Sequence, residues 1–262
     1  MSSLFIAASD DPQRNRTTPA VEPSSVYGLH PRVSNEDSSR RSFVKMIAGG
    51  AVAGLVTATG MEFVAPRRIL AQTPLSPDAA LKELMDGNRR FSTERLTSCE
   101  HDLSILKQHT IDKQEPFASV LSCADSRVPV ELVFDQTIGH IFVTRVAGNF
   151  AASEIIASLE YGAAALGTKV IVVLGHSGCG AVKATIQAKG VPGQISALFS
   201  HIQPAVDQAG PNVDAASKAN AKIQATLLRQ SSTVISGLVK EKKLKVVAAY
   251  YDLGTGVVSL LE

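Results

Sequence analysis

Two hydrophobic patterns run along this chain. In the first, short unbroken apolar runs stand between turn residues, at 117–121, 141–145, 170–174 and 244–251. Runs of this length and composition predict strands buried on both faces. In the second, apolar positions recur at helical spacing. Ser76 and Pro77 open such a segment as a cap and a first-turn proline, with Leu81, Leu84, Met85, Asn88 and Phe91 on one face. Further helices are predicted over 101–108, over 153–166 with Gly167 as the stop, and over 179–188 with Gly190 as the stop. A long helical stretch covers 214–243, with a break near Ser231 and Ser232, and Gly254-Thr255-Gly256 turns into a last short strand at 257–261. Strands alternating with helices predict an α/β fold: a mostly parallel central β-sheet flanked by helices, preceded by an N-terminal helical arm. Ligands of such sheets bind at the carboxyl ends of strands, and the pattern puts Cys123 and His176 there.

The first third of the chain reads differently. Residues 1–38 are polar and rich in Ser, Pro, Asp and Arg, the composition of a disordered extension. Residues 39–71 start with Ser-Arg-Arg-Ser-Phe-Val-Lys and continue as an apolar run over 46–65 that is interrupted by Gly49, Gly50, Gly54 and Gly60. This is the pattern of a twin-arginine export signal, read by the twin-arginine export machinery and cleaved after Ala71. It predicts delivery to the periplasm in folded form. A retained membrane anchor is the alternative, since the run is long enough to span; the glycines and Glu62 weaken it. Residues 72–115 then form a linker and the helical arm, and 116–262 the α/β domain.

Composition narrows the function. A formal charge of +2 over 262 residues is near balance and argues against nucleic acid as a partner. Three cysteines exclude a framework of several disulfides. Cys99 lies before the α/β domain without a ligand cluster and reads as a leftover thiol. Cys123, His176 and Cys179 supply two thiolates and an imidazole, the soft and borderline ligands that Zn²⁺ prefers, for one Zn²⁺ per chain. Three protein ligands leave a fourth tetrahedral position free, as in catalytic zinc sites. Asp125 and Arg127 alternate with Cys123, close enough to act at that position. The competing readings are a Cys123–Cys179 disulfide and an ordinary loop salt bridge for Asp125 and Arg127. The presence of all five residues in two short stretches argues against both. Gly175, Gly178 and Gly180 suggest a phosphate loop, but no GK[ST] or GxGxxG pattern follows. His101, His109, His140 and His201 read as surface histidines rather than proton shuttles, and His30 lies in the leader.

The stretches CADSRVPVELVFDQ, IFVTRVAGN, EYGAAALG, VIVVLGHSGCGAVKA and VVAAYYDLGTG together resemble β-class carbonic anhydrases, from about residue 117 to the C-terminus. The resemblance implies reversible hydration of CO₂ to bicarbonate at a zinc held by Cys123, His176 and Cys179. It implies that Asp125 accepts the hydrogen bond of the zinc-bound water, that Arg127 keeps Asp125 in place and ionised, and that Asp125 becomes a fourth zinc ligand in a closed, low-pH state. It matches Gln114, Phe142 and Tyr161 to positions lining a substrate pocket shared across a dimer, with Gly178, Val128 and Ala147 as further wall. Phe142 and Tyr161 read equally well as core residues. A homodimer or higher homo-oligomer follows, with the N-terminal helices wrapping over a partner subunit. The family's non-catalytic bicarbonate site uses a Trp, and this chain has none. The alternatives are carbon disulfide hydrolysis by the same fold and ligands, and a zinc or anion-binding protein without turnover.

Overall fold

The computed structural model describes residues 73–98, 107 and 110–262, all of which belong to the unit Val64–Glu262. Residues 1–72, which carry the predicted extension and export signal, lie outside the described residues, as do Cys99, His101, His109 and most of the predicted 101–108 helix. Among the described residues no helix is long and apolar enough to cross a membrane.

The sheet has five strands: β1 (Ala118–Ser122), β2 (Ile141–Arg145), β3 (Val170–His176), β4 (Lys245–Tyr251) and β5 (Val258–Leu261), in the order β2-β1-β3-β4-β5. The first four run parallel; β5 pairs antiparallel with β4 and closes one edge. Every residue of β1 and β3 is buried, which is why their sequences read as unbroken apolar runs.

Helices cover both faces, and alternate strand residues divide between them. Val120, Val170, Val172 and Leu174 pack with Leu84 of α1 (Pro77–Ser92) and Val133 of the short α2 (Val130–Val133). Leu121, Ile171 and Val173 pack with Leu159 of α3 (Ser153–Glu160) on the opposite side. Leu228 and Ile235 complete that side from two later helices introduced below. The apolar face of α1 thus lies on the chain's own sheet. Its buried Asn88 donates to the carbonyls of Val133 and Gly256 and accepts from the Val258 amide, which explains a polar residue on that face.

Downstream of α3 the helix widens into a single π turn, Tyr161–Ala165, closed by the Leu166 amide on the Tyr161 carbonyl. Helix α4 (Gly180–Gln187) ends earlier than expected. Ala188 takes the left-handed conformation at φ 45° and closes on the Ala184 and Thr185 carbonyls, so Gly190 is not the stop. Helix α5 (Phe199–Ala209) is one the hydropathy pattern does not predict, because Pro204 sits inside it. The helix survives because Ile202 and Ala205 are buried, Ile202 against Val182 and Ala216. The long helical stretch breaks as expected into α6 (Val213–Ser231) and α7 (Thr233–Lys240), with Ser232 capping α7 through the Ile235 amide.

Candidate metal centre

The centre forms where β1 and β3 end side by side. β1 delivers Cys123 one residue past Ser122, and β3 ends on His176. A short loop then runs through Ser177 and Gly178 to Cys179, which caps the N-terminus of α4. The three candidate ligand atoms lie within 4.8 Å of one another, and the two sulfurs are 4.0 Å apart. All three residues are buried, and the two cysteines pack in an apolar cluster with Val182, Ile202 and Ala216.

Hydrogen bonding fixes what each ligand can do. The Nδ1 of His176 bonds the Ser177 carbonyl at 3.0 Å, which makes Nδ1 the protonated nitrogen and leaves the Nε2 lone pair free. That Nε2 belongs to a side chain 0% exposed and has no hydrogen-bond partner. An unpaired buried acceptor costs about 1–3 kcal/mol, so its position beside two sulfurs fits a cation. The Cys179 thiol donating to Cys123 pulls the Cys123 pKa well down and, together with burial, holds the Cys179 proton more tightly than a free thiol would. The pair thus releases one proton readily and the second reluctantly, and a divalent ion would displace the second. The Gly148 amide donates to Cys123 Sγ at 3.3 Å and further favours a thiolate there. Gly148 has φ 86°, and a Cβ on it would stand 2.5 Å from Ile202, so glycine is required.

Asp125 and Arg127 lie at the mouth. Arg127 donates from Nε to Oδ1 at 3.0 Å and from Nη2 to Oδ2 at 2.7 Å, a two-point clasp. The clasp holds the Asp125 carboxyl far below the usual carboxylate range, against the opposing effect of partial burial. Asp125 is 16% exposed and Arg127 56%. Asp125 Oδ2 is 3.9 Å from His176 Nε2, so the anion faces the same space as the free lone pair. Arg127 also reaches the Gly178 carbonyl at 3.3 Å, which links the two ligand loops.

Arg145, at the end of β2, has a role that sequence reasoning missed. It donates to the Cys123 carbonyl at 2.8 Å and the Asp125 carbonyl at 2.6 Å, pinning the β1 loop. Its register opposite Ser122 gives it that reach.

The proposed pocket residues are distributed differently. Phe142 and Tyr161 face each other with ring centroids 6.1 Å apart, and Tyr161 is 52% exposed. Phe142 pairs with Ser119, four residues before Cys123, which sets it about 13 Å along the sheet from the ligands. Gln114 is exposed in an irregular stretch before β1, and Val128 is wholly buried in the core. Within one chain, therefore, Gln114, Phe142 and Tyr161 are not gathered around Cys123, whereas Gly178 is. His140 and His201 are exposed, as expected.

The carbonic anhydrase family model matches residues 118–258, from the start of β1 to the start of β5. Carbonic anhydrase 2 of Mycobacterium tuberculosis is 33% identical over 199 residues, 69% of this chain and 91% of the relative. Among solved structures, the β-carbonic anhydrase of Coccomyxa in complex with acetazolamide is 26% identical with a TM-score of 0.55, covering 69% of this chain and 86% of that one. A tetrameric β-carbonic anhydrase from Sordaria macrospora shares the fold, with a TM-score of 0.56 at 21% identity over 60% of this chain and 90% of that one. The family match takes in the whole parallel sheet and both ligand loops, and the mycobacterial relative aligns over more than two thirds of the chain; the protein belongs to the β-class carbonic anhydrase family.

Proposed function

We propose that this protein is a zinc-dependent catalyst of the reversible hydration of CO₂ to bicarbonate and a proton, working outside the cytoplasm as a homo-oligomer. The observation that carries the chemistry is the buried, unpartnered Nε2 of His176 beside two thiols, with an anion 3.9 Å away. Cys123, His176 and Cys179 would hold one Zn²⁺, leaving one of its four positions for the reaction. Bound there, the ion would supply Lewis acidity that lowers the pKa of water towards neutrality. Asp125, kept anionic by Arg127, accepts a hydrogen bond from the reacting water and so orients it. The apolar packing of Val182, Ile202 and Ala216 behind the ligands keeps bulk water from that side. A closed state with Asp125 as a fourth ligand requires the carboxylate to leave the two guanidinium bonds and the Arg127 amide bond that hold it.

Two features support an oligomer. The tetrameric Sordaria protein has the same fold. The exposed Tyr161 and its neighbour Phe142 lie too far along the sheet to serve the ligands of their own chain, so a pocket using them needs a second copy. Export rests on the Arg40-Arg41 pair and the glycine-rich run after it.

Zinc analysis combined with stopped-flow CO₂ hydration tests the chemistry. One Zn²⁺ per chain and rapid hydration are expected; a zinc-replete protein without hydration would turn the reading into a binding protein. Sedimentation tests assembly, and a fully active monomer would remove the shared pocket. Arg40→Lys together with Arg41→Lys should leave folded precursor in the cytoplasm, and unchanged export would refute the twin-arginine route.

A further inference from the structure

The loop between His176 and Cys179 is pinned to its surroundings by Arg127 on the Gly178 carbonyl and at three further points. The Ser177 amide donates to the Tyr251 carbonyl at 3.0 Å, and the Leu253 amide donates to the Ser177 hydroxyl at 2.9 Å. The third point is a side chain from another element: Gly178 N–H donates to Asp214 Oδ1 at 3.0 Å. Asp214 lies in the first turn of α6, where an acid is favoured by the helix dipole alone. Its bond to Gly178 goes beyond that role, because of which peptide it grips.

The Gly178 N–H and the Ser177 C=O are the two ends of one peptide group. The carbonyl end accepts from His176 Nδ1 at 3.0 Å, while the amide end gives its hydrogen to the Asp214 carboxylate. Metal-bound histidines commonly donate their second nitrogen to a carboxylate, which fixes the ring and strengthens the ligand. Here the histidine donates to a peptide carbonyl, and the carboxylate sits one peptide further on. Hydrogen bonds in such a chain polarise one another: an anion at the amide end makes the carbonyl end a better acceptor. The same loop must place Gly178 at φ 60°, so the peptide's orientation is specified and not incidental.

Asp214 has neighbours of its own. Burial, together with the nearby Asp214 carboxylate, pushes the Tyr250 phenol up, so the phenol faces that anion. Lys218, one turn further along α6, places its Nζ 4.5 Å over the Tyr250 ring. The carboxylate, the phenol and the ammonium form a cluster behind the metal loop that the proposed reaction does not otherwise use.

We propose that Asp214 is a positioning residue for the metal centre: through the Ser177–Gly178 peptide it orients His176 and strengthens Nε2 as a ligand. The inference rests on the zinc reading above, and predicts a graded effect. Asp214→Asn keeps an acceptor oxygen but loses the charge; Asp214→Ala loses both. Zinc affinity, measured by chelator competition on the full chain, should fall by about tenfold for Asp214→Ala and by less for Asp214→Asn. In the NMR spectrum of the zinc-loaded protein, the His176 Nδ1–H resonance should move upfield in the same order, as its bond to the Ser177 carbonyl weakens. Glu154→Ala, which removes a first-turn acid from a different helix, α3, should change neither reading. Wild-type protein that takes up no zinc would overturn the zinc reading and this inference together. Zinc-binding wild type whose Asp214→Ala variant binds zinc within twofold, with the His176 resonance unmoved, would overturn this inference alone. Equal losses in Asp214→Ala and Glu154→Ala would also overturn it, since they would report helix stability only.

Discussion

Two buried polar constellations in this protein have opposite bookkeeping. At the first, Asp135 is 0% exposed at the side chain and sits at φ 48° just after α2. Its carboxylate accepts from Arg90 Nε, the Thr97 amide and hydroxyl, and the Ser98 amide, so a buried charge is fully paired. At the second, His176 is equally buried, yet its Nε2 has no partner and faces two sulfurs. A satisfied constellation has nothing left to offer a ligand; it ties the segment after α1 to the domain. The unsatisfied one keeps a lone pair and two sulfurs in reserve. The difference separates a structural anchor from a binding centre more sharply than burial or charge does, because both sites are buried and both carry ionisable groups.

The largest expected effect breaks the second site. Cys123→Ser replaces a soft anionic ligand with a hydroxyl and should weaken zinc binding by more than about 100-fold, the upper end for losing a mere supporting partner. Chelator competition checks it, and the folded domain should persist because Asp135 is untouched. Next comes Asp125→Asn, which keeps shape and loses the anion. CO₂ hydration should fall by at least about tenfold, or ~1.4 kcal/mol of barrier, with zinc still bound. Unchanged stopped-flow rates in a zinc-replete variant would remove Asp125 from the chemistry.

The smaller effects belong to the first site. Asp135→Asn should cost about 1–3 kcal/mol of stability at neutral pH in urea unfolding, without loss of zinc. The pH dependence has a defined sign. Burial raises the Asp135 pKa, but the bonds from Arg90, Ser98 and Thr97 outweigh it, and the folded value lies well below the ordinary one. Its stabilisation is therefore present above the unfolded value near 4 and lost as pH falls below it. Wild type should lose more stability than Asp135→Asn between about pH 5 and pH 2. Parallel acid profiles for the two proteins would show that Asp135 is not the anchor. The smallest effect is on Arg127→Ala: more than half of that side chain is in water, so melting should shift little while turnover slows.

How much of this was legible in the sequence depends on where each signal resides. Buried strands leave unbroken apolar runs, so β1 to β4 and the break at Ser232 could be read directly. Helix α5 could not, because Pro204 argues against it locally and only the tertiary contacts of Ile202 sustain it. Cys123, His176 and Cys179 were legible by residue type, since few side chains bind soft metals. Arg145, Gly148, Asp214 and Asp135 were not. Each acts mainly on a backbone group or sulfur distant in sequence, and such bonds leave no spacing or composition to recognise. Gln114 shows the converse: a motif position can be matched in sequence while the folded chain leaves it exposed in an irregular stretch before β1.

The neighbouring placement of β1 and β3 has a kinetic consequence. β2 lies between them in sequence but not in space, so Cys123 and His176 meet only after the crossover has closed. A complete three-ligand site therefore exists only once these two strands have paired. The ion's binding energy would then slow unfolding and leave the refolding rate unchanged, so stripping the metal should raise the unfolding rate alone. A chain that carries its ion has, by that fact, already closed the long-range crossover from β1 to β3.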